Sequence, residues 1–240
     1  MPLVSLSDWD VEFLRLTAFT NEAVPSAAIE WWKESTGIEP ASTASKPGLN
    51  VFSAEGQYQD MTFALNIGPG RVDWLAGPIP TSDTIMPSMG DFVAASGKFL
   101  SVLQPWLSVP PLNVSRIAYG VTVKLPTLDK IDAYTKIAAL LPALTIDPVG
   151  SRDLNYSINR PRQSSVVNEL RINRLSKWSV VTLTLLTPAS TLIPQKTFCR
   201  LELDINTDLE STGPFAGVAA EIVNEMNAFS TEILEHGDVA

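Results

Sequence analysis

Apolar residues recur along this chain with two different periods, and the switching between them predicts an α+β protein. Trp9, Val11 and Phe13 alternate with Asp10 and Glu12, the period-two mark of a half-buried strand. Pro25 suits a first helical position, Ile29 and Trp32 supply an apolar side, and Gly37 suits a left-handed cap, predicting a helix over 25–36. The Pro/Ser/Thr/Gly content of 40–48 predicts a loop. Three strands are expected at 49–54, 58–67 and 71–79, with turns at Ala54-Glu55-Gly56-Gln57 and Gly68-Pro69-Gly70. Asp91 then caps a helix over 92–107, in which Phe92, Ala95, Phe99, Val102, Leu103 and Trp106 recur at three- and four-residue spacing.

The order then repeats. Ile117, Tyr119, Val121 and Val123 alternate in a strand over 114–125. Pro126 opens a helix with Ile131, Tyr134, Ala138 and Leu141 on one stripe, and Pro142 stops it. Strands are expected at 154–159, 168–174, 178–186 and 196–206, followed by an amphipathic helix over 215–234. Two similar halves therefore emerge, residues 1–110 and 111–240, each strand–helix–antiparallel strands–helix. Their helices are expected to pack on an antiparallel sheet within one compact unit. Ser108-Val-Pro-Pro-Leu-Asn113 is too short and stiff for a flexible linker.

Composition narrows the picture. At 240 residues the chain can bury a substantial core, and 45% hydrophobic residues with a mean hydropathy of +0.12 fit first a well-filled core and second an additional buried surface in a partner interface. No signal peptide and no apolar run of membrane-spanning length is visible, and a single cysteine, Cys199, fits a reducing, cytoplasmic location. The net charge of −9 disfavours nucleic acid as a partner. The charge is uneven: residues 151–177 carry six Lys/Arg against two Asp/Glu, a basic island inside an acidic chain.

Catalytic chemistry finds little support. One histidine, His236, stands in a terminal stretch that reads as a disordered tail, so neither a zinc site nor a histidine-based nucleophile is expected. Cys199, between Phe198 and Arg200 in a predicted strand, reads as core filler. The glycines form no phosphate-binding loop. Glu202 and Asp204 lie two apart on a predicted strand and so share a face. They are a candidate magnesium or acid–base pair; the other reading is a solvated sheet face on which Arg200, Glu202 and Asp204 form cross-strand ion pairs with Glu169 and Arg171. No cofactor is expected.

Four strings carry a resemblance: Phe198-Cys-Arg-Leu-Glu-Leu-Asp-Ile-Asn206, the helical Asn224-Glu-Met-Asn-Ala-Phe229, Val51-Phe-Ser-Ala-Glu-Gly56 and Arg116-Ile-Ala-Tyr-Gly120. Together they resemble a sporadically distributed, uncharacterised prokaryotic accessory-protein family of about this length. That resemblance implies an accessory subunit in a toxin–antitoxin or antiviral-defence setting and supplies no catalytic residue.

The leading expectation is a non-catalytic protein-interaction module: an adaptor, inhibitor or immunity-type subunit that binds another protein, with a homo-oligomer also allowed. Adjacent Trp31 and Trp32 cannot face the same way on a helix, so one of them is expected at the surface. With the basic residues Arg152, Arg160, Arg162, Arg171, Arg174 and Lys177 they make the candidate docking set, although the first reading of those basic residues is structural, as neutralising partners of acidic neighbours such as Glu202 and Asp204. The alternatives are a small-molecule binder with an apolar cavity and a carboxylate-dependent enzyme using Glu202 and Asp204.

Overall fold

The computed structural model describes residues 3–25, 28, 30–80, 86–108, 112–183, 196–211 and 213–238. Among these residues the architecture is α+β, with four α-helices and one antiparallel sheet of ten strands. In chain order the elements are β1 (Asp10–Thr20), α1 (Trp31–Thr36), β2 (Ser42–Lys46), β3 (Val51–Tyr58), β4 (Met61–Gly68), β5 (Arg71–Pro78) and α2 (Phe92–Ser108). They continue with β6 (Val114–Pro126), α3 (Lys130–Leu140), β7 (Asn155–Asn159), β8 (Arg162–Gln163), β9 (Arg171–Leu183), β10 (Lys196–Thr207) and α4 (Ala219–His236). The strand order is β2-β3-β4-β5-β1-β6-β10-β9-β7, with β8 also on β9. The long strands β1 and β6 thus pair side by side in the middle, and the flanking strands run outward in reverse chain order, β5 to β2 on one side and β10, β9, β7 on the other.

Alternation along the strands sends one set of side chains into a continuous aromatic and aliphatic core. Phe63 of β4 stacks on Trp74 of β5 at 5.5 Å between ring centroids, and Trp32 of α1 tilts against Phe63 at 5.4 Å. From α2, Phe99 meets Phe63 and Tyr119, and Trp106 meets Trp74 and Trp31. Asn227 of α4 accepts from the Tyr119 hydroxyl at 3.2 Å, and the Ala133 carbonyl of α3 accepts from Cys199 Sγ at 3.2 Å. Phe63, Trp74, Tyr119 and Cys199 all fall on one face of the sheet by their pairing register.

Several local expectations need correction. Gly56 is not in a turn. It lies inside β3, where a Cβ would come 3.0 Å from the Ala41 nitrogen and 3.4 Å from the Trp32 ring, so glycine serves close packing. The turn comes later, at Gln59, which takes φ 53°. The expected loop 40–48 contains β2, five exposed residues held by pairing with β3 rather than by any apolar pattern. The strands expected at 168–174 and 178–186 are one strand, because β10 pairs with β9 through Leu175-Ser-Lys177 without a break. Residues 184–186 lie outside the described residues. Glu169 precedes β9 with φ 65°, and the cross-strand ion pairs expected of Glu169 and Arg171 do not form, because Arg200 stands opposite Ser179, Glu202 opposite Lys177 and Asp204 opposite Leu175.

The helices also shift. α1 begins at Trp31, not Pro25; Gly37 caps it at φ 73° as expected, and Ile29 lies outside the described residues. α3 begins at Lys130, where Asp129 accepts from the Asp132 amide, and it buries Ala133, Tyr134, Ile137 and Leu140 while Ile131 is exposed. His236 is no free tail residue, since it closes α4.

Candidate interaction surface

The tryptophan expectation fails. Trp31 is 4% and Trp32 1% exposed. Two adjacent indoles are both buried because α1 is wedged between neighbours: Trp31 packs on Trp106 of α2, and Trp32 packs on Phe63 of the sheet. The exposure that made them docking candidates does not exist.

Most of the basic island is spent inside the molecule. Arg160 forms a two-point pair with Asp238 just beyond α4, at 2.6 and 2.9 Å, and Tyr156 donates to the same carboxylate at 3.1 Å. Arg162 pairs with Glu232 at 2.5 and 2.8 Å. Arg174 is almost wholly buried, reaches Glu232 at 3.4 Å, and lies with Arg162 over the Phe229 ring, each 5.3 Å from its centroid. Burial lowers the Arg174 pKa. The hydrogen bond from Arg162 holds Glu232 below the usual carboxylate range, and that from Arg160 does the same for Asp238. Arg152 donates to the Val149 and Ser151 carbonyls of its own loop, and Lys177 stands 3.7 Å from Glu202. Arg171 is exposed at the start of β9, and no ion pair to it is found among the described residues. The cluster fastens α4 to β7, β8 and β9; it is not a row of free cations.

Glu202 and Asp204 do share a face, but each is met by cations. Glu202 bonds to Arg200 and faces Lys177, and Asp204 lies 3.7 Å from Arg15. No cluster of three or more metal-ligating side chains occurs among the described residues. Cys199 is fully buried, and burial pushes its thiol up to about 12, far from a reactive thiolate.

A different surface stands out on the sheet face opposite Phe63, Trp74 and Tyr119. Between Val11 and Phe13 the pairing of β1 with β6 slips by one residue. The extra residue turns Phe13 away from the core, and Glu12 and Phe13 both line a single groove. Phe13 is 37% exposed, whereas Leu14, Leu16 and Ala18 carry the core side of β1. The groove encloses about 520 Å³. Its floor is lined by Thr62, Ala64 and Gly77, where the side chains are short, and its walls by Phe13, Leu75, Pro78, Ser42 and Glu55. A second hollow of about 290 Å³ lies on the other side of Phe13, with Arg15, Leu175, Lys177, Glu202 and Asp204 around it. Gly120 makes room there: a Cβ would press within 3.2 Å of the Arg15 guanidinium.

Pairing register joins the two hollows. Ser42, Glu55, Ala64, Leu75, Arg15, Gly120, Asp204 and Leu175 follow one another strand by strand in a single row across the sheet. Reading the sequence missed Phe13, Arg15 and Glu55 as surface candidates. One signal was present: apolar residues sit at odd positions through Val11 and at even positions from Leu14 on, and the phase change falls at Phe13.

No protein-family model matches the chain, and no curated protein matches it significantly. Among the described residues no helix is long and apolar enough to cross a membrane.

Proposed function

We propose that this chain is a protein-interaction module without catalytic activity, an adaptor, inhibitor or immunity-type subunit, and that it takes its partner on the grooved face of the sheet. The observation that carries this reading is Phe13, a large aromatic turned outward by a bulge at the centre of a face that also bears Leu75 and Leu175. An aromatic anchor between two hollows, rimmed by charged residues, is the usual composition of an interface centre. The engagement of Glu202 and Asp204 with Arg200, Lys177 and Arg15 removes the motive for a carboxylate-dependent enzyme.

The arrangement behind this face is two similar halves about the β1–β6 pair, with helices covering the other side of the sheet. It is supported by the equivalent places of β5 and β10, each antiparallel to the first strand of its half. The resemblance to a prokaryotic accessory-protein family and the lone buried cysteine favour a cytoplasmic subunit of a defence or toxin–antitoxin system.

The test is isolation of the native complex from the host with wild-type chain and with Phe13→Glu, followed by cross-link mapping. Because Phe13 is partly exposed, the substitution is expected to leave the thermal midpoint nearly unchanged while a stoichiometric partner is lost. A partner retained by Phe13→Glu and cross-linked elsewhere sinks the assignment of this face. A second reading, a small-molecule binder, is favoured by the groove volume of about 520 Å³, which falls in the range of ligand pockets. A small molecule retained in place of a protein would establish it.

A further inference from the structure

We propose that the larger groove receives a side chain with an apolar stem and a cationic tip, a lysine or arginine of the bound partner. This rests on the reading of the grooved face as the docking surface and adds the chemistry of its anchor. Among the described residues the groove is lined mostly by apolar and small side chains, and the charged lining residues are Glu12 and Glu55. Glu12 is already engaged by Arg200 at 2.9 Å. Glu55 accepts only from the Ser42 hydroxyl, at 2.9 Å, and no Lys or Arg pairs with it among the described residues.

A carboxylate at the rim of an apolar slot favours an occupant that buries methylenes against Phe13, Leu75 and Pro78 and places a positive charge at the rim. An acidic occupant would instead meet the Glu55 carboxylate, and the described groove-lining residues include no Lys or Arg to offset it, Arg200 being engaged with Glu12. The neighbouring hollow offers no such preference, because Arg15 and Lys177 there face Glu202 and Asp204, so its charges balance. Depth comes from chain chemistry as well. Ala64 and Gly77 keep the floor low, and Thr62 is tied down by donating to the Gly77 carbonyl at 3.0 Å.

The experiment titrates isotopically labelled full-length chain with the pentapeptide acetyl-Ala-Val-Arg-Val-Ala-amide and with its citrulline counterpart, followed by amide chemical shifts. Citrulline keeps the shape of arginine and removes the charge. The arginine peptide is expected to shift the amides of Glu55, Ala64 and Leu75 and to bind about five-fold more tightly than the citrulline peptide, the size of one partly exposed ion pair. Glu55→Gln should abolish that difference, and Ala64→Phe, which fills the floor, should abolish binding of both peptides. Equal affinity for the two peptides overturns the inference, as does the lack of shifts around the groove at millimolar peptide. The docking reading fails separately, through a native partner that is indifferent to Phe13→Glu.

Discussion

Glu232 is shared by two arginines, one of them buried, so Glu232→Gln tests the energetics of the cluster directly. The carboxylate holds Arg162 and Arg174 together over Phe229. The Arg174 side chain is 2% exposed, Glu232 30% and Arg162 35%. Removing one partner of a fully buried pair costs about 3–5 kcal/mol, because the charge left behind stays buried and uncompensated. Water reaches two of the three groups here, and glutamine retains one acceptor, so about 2–3 kcal/mol is expected. For a chain of this length that lowers Tm by about 4–12 °C.

The pH dependence has a definite sign. Glu232 and Asp238 are both held below their ordinary values in the folded protein. Such carboxylates contribute stability that is present above their unfolded pKa values and is lost as the pH falls through the folded ones. Urea unfolding followed by circular dichroism from pH 7 down to about pH 3 should show the wild type losing stability in the acid limb and Glu232→Gln losing less. Adding Arg174→Met to Glu232→Gln should recover part of the loss by removing the orphaned charge. If Glu232→Gln costs under about 0.5 kcal/mol, or leaves the acid limb unchanged, the cluster is an ordinary surface network and the argument is refuted.

Three further outcomes are expected. Gly237→Ala should cost at least about 2 kcal/mol in urea unfolding, because φ is +76° and a Cβ would sit 2.0 Å from the Leu140 carbonyl oxygen, which the backbone cannot yield. Trp31→Ala should cost about 3–5 kcal/mol as a core truncation, and a loss under about 1 kcal/mol would return Trp31 to the surface. Cys199 should resist a thiol-reactive dye in the native state and react fully in guanidinium, since its thiol is buried with a pKa pushed up to about 12; fast native labelling would contradict the packing around it.

Elements with strong periodicity were legible from residues alone. The apolar stripe of α2 and the alternation of β6 and β10 carry their own signal, because each buries one side against a large core. β2 was not legible: Ser42–Lys46 has no buried side chain, and only the outer edge of β3 makes it a strand. Gly56 misled for a related reason, since its purpose is a tertiary approach to Trp32 and Ala41 that no local pattern encodes. The candidate site was hidden by a single inserted residue. A strict alternation through Trp9, Val11 and Phe13 sends Phe13 inward, whereas the bulge at Glu12 reverses it.

Of the basic island, Lys177 lines the proposed binding face, while Arg160, Arg162 and Arg174 are drawn elsewhere by charge. A cation run in an acidic chain attracts whichever carboxylates the fold brings near, and here those belong to the last helix and the residues just after it, 78 positions downstream of Arg160 and 70 downstream of Arg162. Arg160, Arg162 and Arg174 are thereby consumed in fastening α4, at a cost in desolvation that Glu232, Asp238 and the Phe229 ring offset. A surface whose charges are already paired discriminates weakly between partners, because their rearrangement costs as much as a new contact returns. Discrimination is left to the few groups that are not so engaged. On the grooved face these are the Phe13 ring and the Glu55 carboxylate, one supplying apolar area and the other a sign of charge.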